Sequence, residues 1–69
     1  MKVSARNALP GMMRRIERGA VNAEILIEVA PHLTIVSVIT LDAVDNLKLK
    51  IGDRAYAVIK ASNVMIGVD

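Results

Sequence analysis

Residues 21–29 read Val-Asn-Ala-Glu-Ile-Leu-Ile-Glu-Val, and their apolar and polar side chains alternate. Successive side chains of a β-strand point to opposite faces, so this period of two predicts a strand that is buried on one face. Leu26 interrupts the polar face and is a candidate for contact with another subunit. Pro31 is expected to end the strand, because its nitrogen cannot donate a ladder hydrogen bond.

Short strands are also predicted on both sides of this stretch. β-Branched residues dominate the segment after Pro31, which predicts the returning strand of a hairpin. Pro10 and Gly11 divide the N-terminal part into two predicted strands. The further strands expected are residues 2–8, 12–18, 33–39, 54–60 and 64–68.

One segment changes its period from two to three. Leu41, Val44 and Leu47 recur at three-residue spacing, which predicts a short helix. Thr40 is expected to cap its start and Gly52 to stop it. Five or six short strands with a helix after the fourth predict an all-β fold, a small five-stranded barrel of the oligonucleotide/oligosaccharide-binding (OB) type. A different small barrel or sandwich is the alternative.

The size of the chain predicts one domain, residues 1–69, that works as a homo-oligomer. A domain of 69 residues buries only about 60% of its unfolded surface. The chain has no cysteine and one histidine, so disulfides and thiolate zinc sites cannot supply the missing stability. Hydrophobic residues make up 54% of the chain, which favours burial between subunits. A well-filled monomeric core is the alternative.

No segment predicts export or membrane insertion. The first 13 residues lack the apolar core of a signal peptide, and no apolar run approaches the roughly 18 residues of a membrane helix. We therefore expect a cytoplasmic protein with no membrane partner.

Catalysis and nucleic-acid binding are both disfavoured. Glu24 and Glu28 lie four residues apart on a strand, about 13 Å, which is too far for a paired-carboxylate mechanism. No phosphate loop, nucleophile elbow or zinc motif is present. OB-type folds often bind single strands by stacking bases on aromatic side chains, and Tyr56 is the only aromatic residue here. We expect no enzyme, and nucleic acid is the second choice as a ligand.

Anion binding fits the residues better. A deprotonated oxyanion has only acceptors, so its site needs N–H and O–H donors and no carboxylates. Two segments have this character, Ser4-Ala5-Arg6-Asn7 and Lys60-Ala61-Ser62-Asn63. If the first is a strand, Ser4 and Arg6 share a face. Each segment also fits an ordinary exposed strand or turn. The net charge is +2, and Glu17 alone opposes the basic residues of the first 20, which are Lys2, Arg6, Arg14, Arg15 and Arg18.

The order of these segments resembles a known family. The chain carries the two donor segments, Glu17 to Glu24, Ile39-Thr40, Leu49 to Gly52 and Tyr56 to Val64. Their order and spacing resemble the molbindins, the stand-alone Mop proteins that bind molybdate or tungstate. The resemblance implies a five-stranded barrel, subunits that exchange strands, and a hexamer built as a trimer of dimers. It also implies reversible oxyanion storage without turnover, with no cofactor.

The resemblance also assigns site residues. It implies oxyanion-binding positions between subunits, with no side chain coordinating the metal atom itself, at Ser4, Ala5, Arg6, Thr40, Lys60, Ala61 and Ser62. It implies a second kind of site near Gly19, Ala20, Val21 and Asn22. Family members often have serine three residues after the threonine, where this chain has Ala43. The alternative is therefore a regulatory interaction module whose oxyanion site has decayed.

Overall fold

The computed structural model describes residues 1–69 and contains one four-stranded antiparallel sheet with one short helix. The strand order is β3-β2-β1-β4. The predicted strands at 21–29, 33–39 and 54–60 are confirmed to within one residue at each end. The elements are β1 (Asn7–Arg18), β2 (Asn22–Ala30), β3 (Leu33–Thr40), α1 (Leu41–Asn46), β4 (Arg54–Ile59) and a single 3₁₀ turn (Ala61–Asn63).

The N-terminal part forms one long strand, so the prediction of two strands, 2–8 and 12–18, is wrong. Residues 7–12 of β1 pair with β4, and residues 12–18 pair with β2. Pro10 lies in the half that pairs on one side only, where a strand tolerates a nitrogen that cannot donate.

Gly11 allows the backbones of β1 and β2 to come close where β1 changes partner. A Cβ atom added at Gly11 would lie 2.5 Å from the carbonyl oxygen of Glu28 and 2.9 Å from Cγ1 of Ile27. The register shifts just beyond, between Met13 and Arg15, which marks a bulge in β1. Pro10 and Gly11 therefore mark a crossing point of the sheet and not a break.

The core follows the predicted period of two. Ala23, Ile25 and Ile27 of β2 are buried, and their neighbours in the strand are not. Met13 of β1 and Val44 of α1 complete the set of five buried residues. The helix therefore closes one end of the sheet, and the small core leaves much apolar surface exposed.

The helix begins as predicted but ends earlier. The Thr40 side chain accepts a hydrogen bond from the backbone N–H of Ala43, which confirms the cap. Lys48 has a positive φ of 54°, and the N–H groups of Lys48 and Leu49 donate to the carbonyls of Asp45 and Val44. These two bonds form a Schellman motif that ends the helix. The prediction that Gly52 stops the helix is wrong, and Gly52 forms the later turn before β4 with a φ of 90°.

Residues 64–68 do not join the sheet, so the strand predicted there is not formed within one chain. Met65, Ile66 and Val68 are 92%, 87% and 92% exposed. An apolar groove of about 650 Å³ is lined by residues of both edge strands, β3 and β4. The single chain thus supplies four strands. Its helix is not long and apolar enough to cross a membrane.

Candidate oxyanion site

The paired ends of β1 and β4 bring the two donor segments together. Asn7 and Ile59 are the last residues paired at this end of the sheet. Arg6 comes directly before Asn7 and Lys60 directly after Ile59, so the two cationic residues lie at the same end. We call residues 4–6 and 60–62 the β1–β4 end.

Ser4 and Arg6 do not lie on a strand, which corrects the prediction that they share a strand face. Both are at bends before β1, and both are exposed. The structure therefore does not fix their side chains against the sheet. The segments meet through the pairing of their neighbours Asn7 and Ile59 instead.

Arg6 differs from the other arginines in having no partner within the chain. Three arginines form ion pairs with carboxylates, and Arg54 lies 5.7 Å from the centre of the Tyr56 ring. The ion pairs are Arg14 with Glu28 at 2.7 Å, Arg15 with Glu17, and Arg18 with Asp45 at 2.8 Å. The excess of basic residues noted in the first 20 is thus largely neutralised, and Arg6 is the arginine that stays free for an external anion.

The segment after β4 offers backbone donors as well. The N–H groups of Asn63 and Val64 donate back to the carbonyls of Lys60 and Ala61. The N–H groups of Ala61 and Ser62 donate to no acceptor in the turns and loops of the chain. Small side chains at these two positions leave the backbone accessible to an anion.

Thr40 lies with the other set of site residues. It pairs with Asn22, and the N–H of Leu41 donates to the carbonyl of Val21 at 3.1 Å. Residues 19–22 form the turn between β1 and β2, and a 2.8 Å hydrogen bond from the Gly19 N–H to the Asn22 carbonyl closes it. We call residues 19–22 together with Thr40 the β2–β3 end.

The two ends lie at opposite ends of β1. The strand has 12 residues at about 3.3 Å each, so its ends are on the order of 30 Å apart. Thr40 and Arg6 of the same chain therefore do not share one small-anion site. Ser4, Arg6 and Lys60 lie at one end of β1. Thr40 lies at the other end, beside residues 19–22, where the second site is predicted.

The Thr40 hydroxyl can serve the helix and a ligand at once. Its oxygen accepts the Ala43 N–H at 3.1 Å. A hydroxyl has one proton to donate besides its acceptor pairs, so the cap leaves that proton free. Ala43 itself supplies no side-chain donor, and its N–H is used by the cap.

Asn7 is the residue of this region whose contact the sequence did not reveal. Its side-chain Nδ2 donates to the carbonyl of Ile59 at 3.3 Å. The amide sits in the donor segment Ser4-Ala5-Arg6-Asn7, but a strand end with an internal amide bond has no pattern of its own.

Comparison with known proteins places the chain in a family. The family described as the TOBE domain matches residues 3–66. The chain belongs to the TOBE domain family. This TOBE domain is 46% identical over 69 residues to a "Probable molybdenum-pterin-binding protein" of Haemophilus influenzae, and the match covers all of both chains.

Two solved structures are similar to this TOBE domain. MopII from Clostridium pasteurianum has a TM-score of 0.90 and 40% identity, covering 97% of this chain and 100% of that one. The cytoplasmic molybdate-binding protein ModG, with molybdate bound, has a TM-score of 0.92 and 49% identity, covering 100% of this chain and 49% of that one. The resemblance to the Mop proteins is thereby confirmed.

Proposed function

We propose that this TOBE domain binds molybdate reversibly in the cytoplasm and stores or buffers it without catalysis, with no cofactor. The observation that carries the proposal is Arg6, a guanidinium without a carboxylate partner, at the same end of the sheet as Lys60. The names of the similar proteins support molybdenum as the ligand element. Tungstate has nearly the same size and charge, and we propose that it binds at the same sites.

The chemistry of the β1–β4 end supports an oxyanion. Residues 4–6 and 60–62 contain no acid. The guanidinium of Arg6 and the ammonium of Lys60 supply charge-assisted donors, and the Ser4 hydroxyl and the free N–H groups of Ala61 and Ser62 supply neutral ones. An all-acceptor ligand can use each of these groups.

We further propose that each such site is completed by Thr40 of a second copy. The separation of Thr40 from Arg6 within one chain supports this arrangement. A hydroxyl that is already held by the Ala43 N–H is a well-oriented donor for an ion bound between chains. The N–H groups of Ala20 and Val21 and the side chain of Asn22 are our candidates for donors at a second site near Gly19, whose own N–H is held by the Asn22 carbonyl.

Strand exchange between copies would complete the barrel. The groove between β3 and β4 is lined by residues such as Ile35, Ile39 and Ile59, which suit an apolar strand. Residues 64–68 are apolar and exposed, and we propose that they fill the groove of a partner chain. The proposed assembly is a five-stranded OB-type barrel, one domain of residues 1–69 per chain, in a homohexamer built as a trimer of dimers.

Pterin and nucleic acid are less well supported as ligands. The name of the Haemophilus relative includes a pterin, which is a flat ring system. A flat ligand calls for aromatic partners, and the only Phe, Tyr or Trp side chain is Tyr56, which has Arg54 over one face of its ring. The same shortage of rings disfavours single-stranded nucleic acid.

Calorimetric titration with molybdate tests the proposal. The protein should bind molybdate, and Arg6→Gln should weaken binding about ten- to a hundredfold, as for a lost hydrogen bond to a charged group. Arg15→Gln is the matched control, since it removes the same charge from a residue paired with Glu17. No binding by the parent protein, or equal loss in both variants, would contradict the proposal. The first outcome would favour the decayed-site alternative suggested by Ala43.

A further inference from the structure

Asn7 has a polar side chain, whereas the next residues on the same side of β1 are apolar. It lies on the same side of β1 as Leu9, Gly11 and Met13; Asn7 and Gly11 are partly buried, Met13 is buried and Leu9 is exposed. A polar group placed on such a face costs free energy unless it is hydrogen-bonded. Its Nδ2 satisfies this requirement by donating to the carbonyl of Ile59 at 3.3 Å. The bond joins β1 to β4.

This hydrogen bond lies at the terminal residue pair between β1 and β4. Asn7 and Ile59 are the final pair of the ladder; before Asn7 the chain has bends at Ser4 and Arg6, and after Ile59 it enters the 3₁₀ turn at 61–63. The next residues outward are Arg6 and Lys60. Neither has a carboxylate partner within the chain.

We infer that Asn7 is a positioning residue of the oxyanion site: its amide clamps the end of β1 to the end of β4 and so holds Arg6 and the 60–62 segment at one separation before the anion arrives. This inference rests on the proposed function for its ligand but not for its structural part. Pre-organisation of the two segments raises affinity because less ordering remains to be done on binding.

The alternative is that Asn7 only fills space at the end of the core. A leucine side chain has the same branching and the same number of heavy atoms, so it would fill that space on a side of β1 that also carries Leu9 and Met13. Asn7→Leu therefore separates the two roles. Asn7→Asp is a second variant of the same shape, because a carboxylate cannot donate to the Ile59 carbonyl.

The first measurement is amide hydrogen exchange on the protein without anion. We expect Asn7→Leu and Asn7→Asp to speed exchange at the β1–β4 end by about tenfold and to leave the β2–β3 ladder unchanged. Leu9→Ala is the matched control: it weakens the same face of β1 without touching the clamp. Unchanged local exchange in both Asn7 variants, or the same pattern in Leu9→Ala, would overturn the inference whether or not the protein binds molybdate.

The second measurement is a double-mutant cycle on molybdate affinity. We expect Asn7→Leu to weaken binding about three- to tenfold in the parent protein and by much less in an Arg6→Gln background, because a clamp acts through the residue it positions. Equal losses in the two backgrounds would mean that Asn7 acts through stability alone. Absence of molybdate binding in the parent protein would refute the proposed function. The hydrogen-exchange result would still show whether Asn7 holds the ends of β1 and β4 together.

Discussion

The Thr40 hydroxyl accepts a hydrogen bond from the backbone N–H of Ala43 at 3.1 Å. The side chain therefore caps the helix, and its O–H group can still donate a hydrogen bond to another group. The cap fixes the hydroxyl beside the 19–22 turn, at the end of β1 remote from Arg6. The same geometry explains how Thr40 can serve as both a structural and a binding residue.

Replacing Thr40 separates these two roles. Thr40→Asp keeps a good capping oxygen but has no proton to donate and adds a negative charge. We expect the midpoint of thermal unfolding to stay near that of the parent while molybdate affinity falls at least about tenfold. Thr40→Val removes both functions and should also cost about 1 kcal/mol of stability. Molybdate binding by Thr40→Asp at the parent affinity would show that the hydroxyl proton is not used.

Gly11 is required by the close approach of two strands. Gly11→Ala places a Cβ atom 2.5 Å from the Glu28 carbonyl oxygen, which the backbone can relieve only by moving. We expect a loss of about 1–3 kcal/mol in the free energy of unfolding, measured by urea denaturation. Gly67→Ala is the control, because nothing lies within 4 Å of its added Cβ. A Gly11→Ala protein as stable as the control variant would contradict the crossing geometry.

Lys48 holds a left-handed conformation that glycine adopts more easily. Its φ is 54°, and its N–H closes the Schellman motif at the end of α1. Lys48→Gly should therefore raise stability by up to about 1 kcal/mol. Lys50→Gly removes the same charge from a residue without a positive φ and should give no gain. Destabilisation by Lys48→Gly would show that the helix ends differently.

The exposed residues after the 3₁₀ turn are expected to hold the oligomer together. Ile66 is 87% exposed in the single chain, and we propose that it lies in the apolar groove of a partner. Ile66→Asp should shift the protein to smaller species in size-exclusion chromatography with light scattering, because a buried unpaired charge is costly. Asp69→Asn, near the same end, should leave the mass unchanged. An unaltered oligomer in Ile66→Asp would exclude this segment from the interface.

The sequence predicted those parts of the fold that depend on local pattern. The period of two at residues 21–29 gave β2, and the threonine cap gave the start of α1. The end of α1 was missed because Lys48 takes the position that glycine usually marks. The continuity of β1 was missed because Pro10 is tolerated wherever one edge of a strand has no partner, which only the pairing reveals.

The candidate site was predictable only in part for a similar reason. The donor segments around Arg6 and Lys60 are recognisable by residue type, and antiparallel pairing brings them together. The position of Thr40 depends on which part of β1 pairs with the β2–β3 hairpin. The types of residue in the chain do not reveal that pairing. The clamp from Asn7 depends on a single side-chain rotamer at a ladder end.

Native mass spectrometry with and without molybdate, at matched ionic strength, shows whether the protein binds molybdate at sites shared between copies. We expect a hexamer that gains a discrete set of molybdate masses, and dissociated single chains that carry none, because each proposed site needs groups from two copies. A monomer that binds molybdate, or a hexamer that gains no mass at saturating molybdate, would contradict this expectation.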